Sequence, residues 1–119
     1  SGEVFVCRLS SECRPFARVD LEGLELTSLA PLPDGGVAYL LRTYNPLSGN
    51  RIIVKVTDAG GREVDRLQIA RPAVVDNFEG LAAARHGAGV RFYLISDDNF
   101  SSTQQTLLFA IDWTPPTRR

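Results

Sequence analysis

Histidine, lysine, tryptophan and methionine are almost missing from this 119-residue chain, which holds one His, one Lys, one Trp and no Met. A zinc centre built on histidines has too few ligands here. No G-x-S-x-G segment occurs, and the lone histidine, His86, sits in the turn segment His86-Gly87-Ala88-Gly89. A serine-esterase elbow with an imidazole base is therefore absent. The serines Ser96, Ser101 and Ser102 read as turn-bonding hydroxyls rather than nucleophiles. The two cysteines, Cys7 and Cys13, are too far apart for a C-x-x-C redox motif. Pairing in an oxidising compartment and burial as reduced thiols both remain open for them. Charge is balanced at 13 Lys+Arg against 14 Asp+Glu with no run of one sign, so nucleic acid and anionic lipid have nothing to steer toward. Apolar runs such as Ile52-Ile53-Val54 are closed off by Arg51 and Lys55, far short of the roughly 20 residues of a membrane helix. No leader pattern opens the sequence, so any export signal is expected to have been removed or never to have existed.

What is present is alternation. Short stretches rich in Val, Ile, Tyr and Phe recur between Gly, Pro, Asn and Asp turns, which is the pattern of an all-β chain. The spacing predicts nine strands over 3–9, 15–21, 25–32, 36–44, 51–57, 63–70, 80–85, 90–96 and 106–113. Pro33-Asp34-Gly35-Gly36 and Asp58-Ala59-Gly60-Gly61 supply tight turns, and 45–50 a longer loop. The three alanines 82–84 are too few, and too close to Gly80 and Gly87, to make a helix. Tyr39, Phe92, Tyr93, Phe109 and Trp113 fall on strands and read as packing residues.

The chain also repeats itself. Leu26 to Val56 lies over Phe78 to Ile111, with the offset rising from 52 to 55. Gly36-Val37-Ala38-Tyr39-Leu40-Leu41 answers Gly89-Val90-Arg91-Phe92-Tyr93-Leu94, and Arg51-Ile52-Ile53-Val54 answers Thr106-Leu107-Leu108-Phe109. A period of about 50 residues with four strands per unit is the mark of β-propeller blades. The expected organisation is one β domain over 1–119. It divides into two strands of a preceding blade (1–21), a full four-stranded blade (22–71), a final blade (72–113) and an extended tail (114–119). About two blades cannot close a ring. Self-association of copies, or the remainder of a longer chain, is expected to cover the bare faces, with a compact nine-stranded monomer as the third arrangement.

The chemistry-bearing residues gather at one place. Asp76-Asn77-Phe78-Glu79 precedes one predicted strand, and Ser96-Asp97-Asp98-Asn99 follows the next. If these two strands are antiparallel neighbours, both segments fall at the same end of the sheet. Glu79, Asp97, Asp98 and Asn99, with Asp76 or Asn77, form a hard oxygen set suited to calcium, which takes six to eight such ligands. Asp-Asp-Asn after a strand also has a local role, capping a turn through backbone amides, and spacing leaves both readings open.

The segments Asp76-Asn77-Phe78-Glu79-Gly80-Leu81-Ala82, Phe92-Tyr93-Leu94-Ile95-Ser96-Asp97-Asp98-Asn99-Phe100 and Gln105-Thr106-Leu107-Leu108-Phe109-Ala110 resemble the bacterial phytase-like family, also described as the esterase-like domain of phytase. Leu29-Ala30-Pro31-Leu32-Pro33-Asp34-Gly35-Gly36 is similar to that family's blade opening. The resemblance covers roughly the last 40 residues closely, and residues 1–25 and 60–72 only in strand character. It implies a β-propeller in a periplasmic or secreted protein that hydrolyses phosphate or carboxyl esters, in a protein a few times longer than this chain. It implies catalytic and metal-holding roles for Glu79, Asp97 and Asp98 and calcium as cofactor. Among Arg42, Arg85 and Arg91 as phosphate partners, Arg42 ranks first because it answers Ile95, just before the acidic pair; Asn99 joins it as a substrate-binding residue. The other copy carries Thr27 in place of Glu79 and Tyr44-Asn45 in place of Asp97-Asp98, so one site per chain is expected. A noncatalytic propeller-type module, holding structural calcium and a protein partner, is the alternative.

Overall fold

The computed structural model of the chain describes residues 2–9, 12–45, 49–69, 78–96 and 108–116. Nine strands run in order through them: β1 Gly2–Cys7, β2 Cys13–Val19, β3 Glu25–Pro31, β4 Val37–Asn45, β5 Gly49–Thr57, β6 Glu63–Ile69, β7 Phe78–His86, β8 Gly89–Ser96 and β9 Leu108–Trp113. Each coincides with a strand read from the alternation. β2 begins and ends two residues earlier than read, and β7 takes in Phe78 and Glu79 at one end and His86 at the other. No helix long and apolar enough to cross a membrane occurs among the described residues.

The strands form three antiparallel sheets, β1-β2, β3-β4-β5-β6 and β7-β8-β9, each a simple meander. Their ladders close no barrel among the described residues. The middle sheet explains why the three stay together, because its two central strands are apolar on both faces. Ala38, Leu40, Ile52, Val54 and Val56 point one way and meet Phe78, Val90, Phe92, Leu94 and Trp113 of the third sheet. Val37, Tyr39, Leu41 and Ile53 point the other way and meet Val4, Val19 and Leu21 on or just after the β1-β2 hairpin. A sheet with two apolar faces needs a cover on each, and here each face has one.

Two glycines stand where the second strands of the two repeats begin, Gly36 just before β4 and Gly89 as the first residue of β8. A Cβ at Gly36 would overlap the carbonyl oxygen of Thr57, and one at Gly89 that of Trp113. The turn glycines Gly35 and Gly61 take φ values of 95° and 88°, which side chains rarely adopt.

Polar joints pin the layers. The Trp113 indole N–H donates to Asp65 Oδ2 at 2.7 Å, tying β9 to β6, and the Trp113 ring tilts against Phe92 with centroids 5.8 Å apart. On the other side, Lys55 Nζ, buried in the middle sheet, donates to the Asp20 carbonyl at 2.9 Å and to Glu22 at 3.2 Å. Arg66 grips Glu22 with two bonds of 2.8 and 2.7 Å and Glu63 with one of 2.7 Å. Cys7 and Cys13 form a disulfide across the end of the first hairpin, where they are paired in register and exposed.

These contacts give two expected outcomes. Leu40→Ala empties a fully buried position between the second and third sheets and lowers stability by about 3 kcal/mol, read from a urea denaturation midpoint. Glu22 is held below its ordinary carboxyl range, chiefly by the Arg66 hydrogen bonds. Its contribution is therefore complete above the unfolded carboxyl value and disappears as pH falls through the lowered folded value. Between about pH 5 and about pH 3 the native chain should lose more stability than Glu22→Gln does, measured by thermal melts of both proteins.

Candidate functional site

The end of the stack where β3 and β7 begin carries the residues singled out for chemistry. β3 and β7 start in the same way. In β3, Leu26 pairs with Leu41 and Ser28 with Leu40, leaving Thr27 as an extra residue. In β7, Phe78 pairs with Ser96 and Gly80 with Ile95, leaving Glu79 as the extra residue. A bulge of this kind bends its strand and re-aims one side chain, and bulges recur beside active sites. The two copies thus match down to the irregularity, with threonine at the bulge of one and glutamate at the bulge of the other.

The bulged residues lie at a joint between sheets. Thr27 Oγ1 is 3.4 Å from both the Leu40 and the Phe78 carbonyl oxygens, to which it donates. Next to it, the Leu81 backbone N–H donates to Ser28 Oγ at 3.2 Å. Arg42, on β4, reaches Glu25 within its own sheet at 3.3 Å and Glu79 across the joint at 3.9 Å. Its side chain is 20% exposed and that of Glu79 47%, so the carboxylate stands open to solvent beside a partly sheltered guanidinium.

Of the residues read as a site, Glu79 and Arg42 are brought together. Asp76, Asp97, Asp98 and Asn99 lie outside the described residues, as does Asn77. Anchoring the repeat on its two bulges corrects one equivalence. Leu40 then answers Ile95 and Leu41 answers Ser96, so Arg42 corresponds to the residue after Ser96 and not to Ile95. The shift has a simple cause: between bulge and turn β7 pairs with β8 over seven residues, 80–86, whereas β3 pairs with β4 over four, 28–31. Glu25 has no counterpart in the reading from sequence. Its one signal is register, since it stands directly opposite Arg42.

The remaining candidates are engaged elsewhere. Arg91 makes a two-toothed contact with Asp112, at 2.7 and 3.1 Å, and touches His86 Nε2 at 3.1 Å. The hydrogen bonds hold the Asp112 carboxyl below its usual range and push Arg91 up. Arg85 is exposed near the same end of the sheet. His86 ends β7, seven residues from Glu79, a separation of about 23 Å along an extended strand, and so lies beyond reach of that carboxylate. A cleft of about 280 Å³ at the opposite end of the stack is lined by Leu32, Val56, Val64, Trp113 and Pro115 with Asp34 and Asp58. Both aspartates bond turn amides, Asp34 that of Gly36 and Asp58 those of Gly60 and Arg62.

Calcium needs more oxygens than Glu79 offers. Among the described residues no group of three or more His, Cys, Asp or Glu side chains is placed to hold a metal ion. A calcium site at this end would need oxygens from beyond the described residues, where Asp76 and 97–99 fall in the sequence. Comparison with known protein families, with curated proteins and with solved structures finds no match to the chain.

The joint itself is testable. Ser28→Ala removes the acceptor of the Leu81 amide and should lower stability by about 1 kcal/mol. Hydrogen exchange at the Leu81 amide should speed up, while amides between β4 and β5 keep their protection.

Proposed function

We propose that the chain is a segment of a phytase-like, esterase-like β-propeller, with its acidic end acting as a calcium-dependent hydrolase site for phosphate or carboxyl esters. In this reading residues 1–21 are the outer strands of one blade, 22–71 a complete blade and 72–113 the next. The supporting observation is Glu79: a solvent-open carboxylate on a strand bulge, 3.9 Å from Arg42 and next in the chain to Phe78. Phe78 is paired with Ser96, after which Asp97-Asp98-Asn99 follows in sequence. The stacking of three meanders, with β3 and β7 packed together, suits blades arranged about an axis. The disulfide suits an oxidising, periplasmic or secreted location.

Glu79, Asp76, Asp97, Asp98 and Asn99 would hold the ion. Calcium, when bound, offsets the charge of a phosphate ester and makes bound water more acidic. Arg42, within reach of the same end, and Asn99 would orient the ester oxygens, and the carboxylates would accept the proton that water gives up. One observation favours the noncatalytic alternative: the Arg42 guanidinium is already engaged by Glu25 and Glu79, as in a structural joint.

Calorimetric titration with calcium, alongside turnover of p-nitrophenyl phosphate and p-nitrophenyl acetate, separates the two readings. The hydrolase reading predicts calcium-dependent turnover, and calcium affinity weakened on the order of tenfold or more by Glu79→Ala. Calcium binding that raises the melting temperature without turnover of either ester supports the structural alternative. No calcium binding at all overturns both.

A further inference from the structure

The outer face of the third sheet is left open by a stack whose other interfaces follow one rule. Opposed residues place Ala82, Tyr93 and Ala110 in one row of that face and Ile95 and Leu108 in the next. Ile95 is 45% exposed and Leu108 66%. The bulge-anchored repeat maps this face onto the middle sheet: Ala82 answers Ala30, Tyr93 answers Ala38, Ile95 answers Leu40, Leu108 answers Val54 and Ala110 answers Val56. Those five residues of the middle sheet are all buried, with Ala38, Leu40, Val54 and Val56 fully so. Each repeat therefore carries the same apolar trailing face, and in the first copy a neighbouring sheet covers it.

The stack also has a direction. Phe92 and Leu94 of the third sheet, which face the middle sheet, answer Val37 and Tyr39, which face the first hairpin. The leading end is the outer face of that hairpin, where Phe5 is 51% exposed and Glu3 pairs with Arg18 at 3.1 Å. The trailing face has its own internal ion pair, Arg91 with Asp112. Neither end carries excess charge to oppose contact, and both leave large apolar side chains in water.

We propose that a second copy of this chain covers the trailing face, docking head to tail with its β1-β2 hairpin against Tyr93, Ile95 and Leu108. The interface is heterologous, so repeated docking closes a ring where the rotation per copy allows and otherwise runs on as a filament. This inference concerns the 119-residue chain by itself, where a longer propeller would place a further blade; it rests on the repeat and its burial, and stands whether or not the acidic end is a hydrolase site.

The test is the solution mass of the 119-residue chain by light scattering over a concentration series. The native chain should exceed its 13.0 kDa monomer mass. Ile95→Asp, which blocks the trailing face, and Phe5→Asp, which blocks the leading one, should each be monomeric with unchanged circular dichroism. Leu108→Asp serves in place of Ile95→Asp if that variant fails to fold. An equimolar mixture of the two blocked variants should form a two-chain complex, because one keeps a live head and the other a live tail. A native chain that stays monomeric throughout overturns the proposal. Phe5→Asp that still dimerises alone also overturns it, since a face meeting its own copy needs no hairpin. So does a native multimer that Ile95→Asp and Leu108→Asp, both folded, leave intact.

Discussion

Everything in this structure depends on the middle sheet having no wet face. Val37 to Leu41 and Ile52 to Val56 are nearly unbroken apolar runs, and alternation sends half of each to either side. An ordinary antiparallel sheet leaves one face to solvent. This one leaves neither, and the other two sheets take their places because it must be covered twice. The one charged side chain in those runs, Lys55, is kept by giving its ammonium the Asp20 carbonyl and Glu22 at the edge of the hairpin. A buried cation is tolerated where such partners replace its water.

The joints between sheets convert that packing into a defined arrangement. Apolar faces alone allow sheets to slide over each other, since burial is not directional. Three kinds of polar contact oppose sliding: the Trp113–Asp65 bond on one side, the Glu22–Arg66–Glu63 cluster on the other, and the Thr27, Ser28 and Arg42 contacts where β3 meets β7. The last of these is also where the repeat departs from symmetry. Threonine at the first bulge turns inward to satisfy carbonyls, while glutamate at the second reaches solvent. The position that satisfies carbonyls in one copy thus holds a solvent-open carboxylate in the other, on the same backbone irregularity.

Much of the architecture is legible in the sequence, because alternation and turn residues are local signals. Pro33-Asp34-Gly35-Gly36 and Asp58-Ala59-Gly60-Gly61 mark their hairpins unambiguously, and the repeat predicts that β3-β4 and β7-β8 are equivalent pairs. The ends of elements are less legible. Glu79 reads as a residue before its strand, whereas it is part of β7 as a bulge. A bulge leaves almost no mark on a hydrophobic pattern, since one extra residue merely shifts its phase. The greater length of the β7-β8 hairpin leaves equally little mark, and it misaligns Arg42 by two residues, which preserves its face but changes its neighbours. Glu25, Ser28 and Asp65 carry contacts between or along sheets that depend on register, and register is a property of pairs of strands. The disulfide was one of two readings open at a spacing that fits both, and exposure of both cysteines at a hairpin end decides for pairing.

The central functional claim is that ligand oxygens converge where β7 and β8 meet, at Glu79 and the residues after Ser96. The most direct measurement is a calcium titration of the isotope-labelled chain followed by amide chemical shifts. The account predicts saturable shifts at Glu79, Ser96 and residues 97–99, extending to Thr27 across the joint, with the Asp34 and Asp58 turns at the opposite end unmoved. Shifts confined to those turns, or no saturable change anywhere, would contradict it.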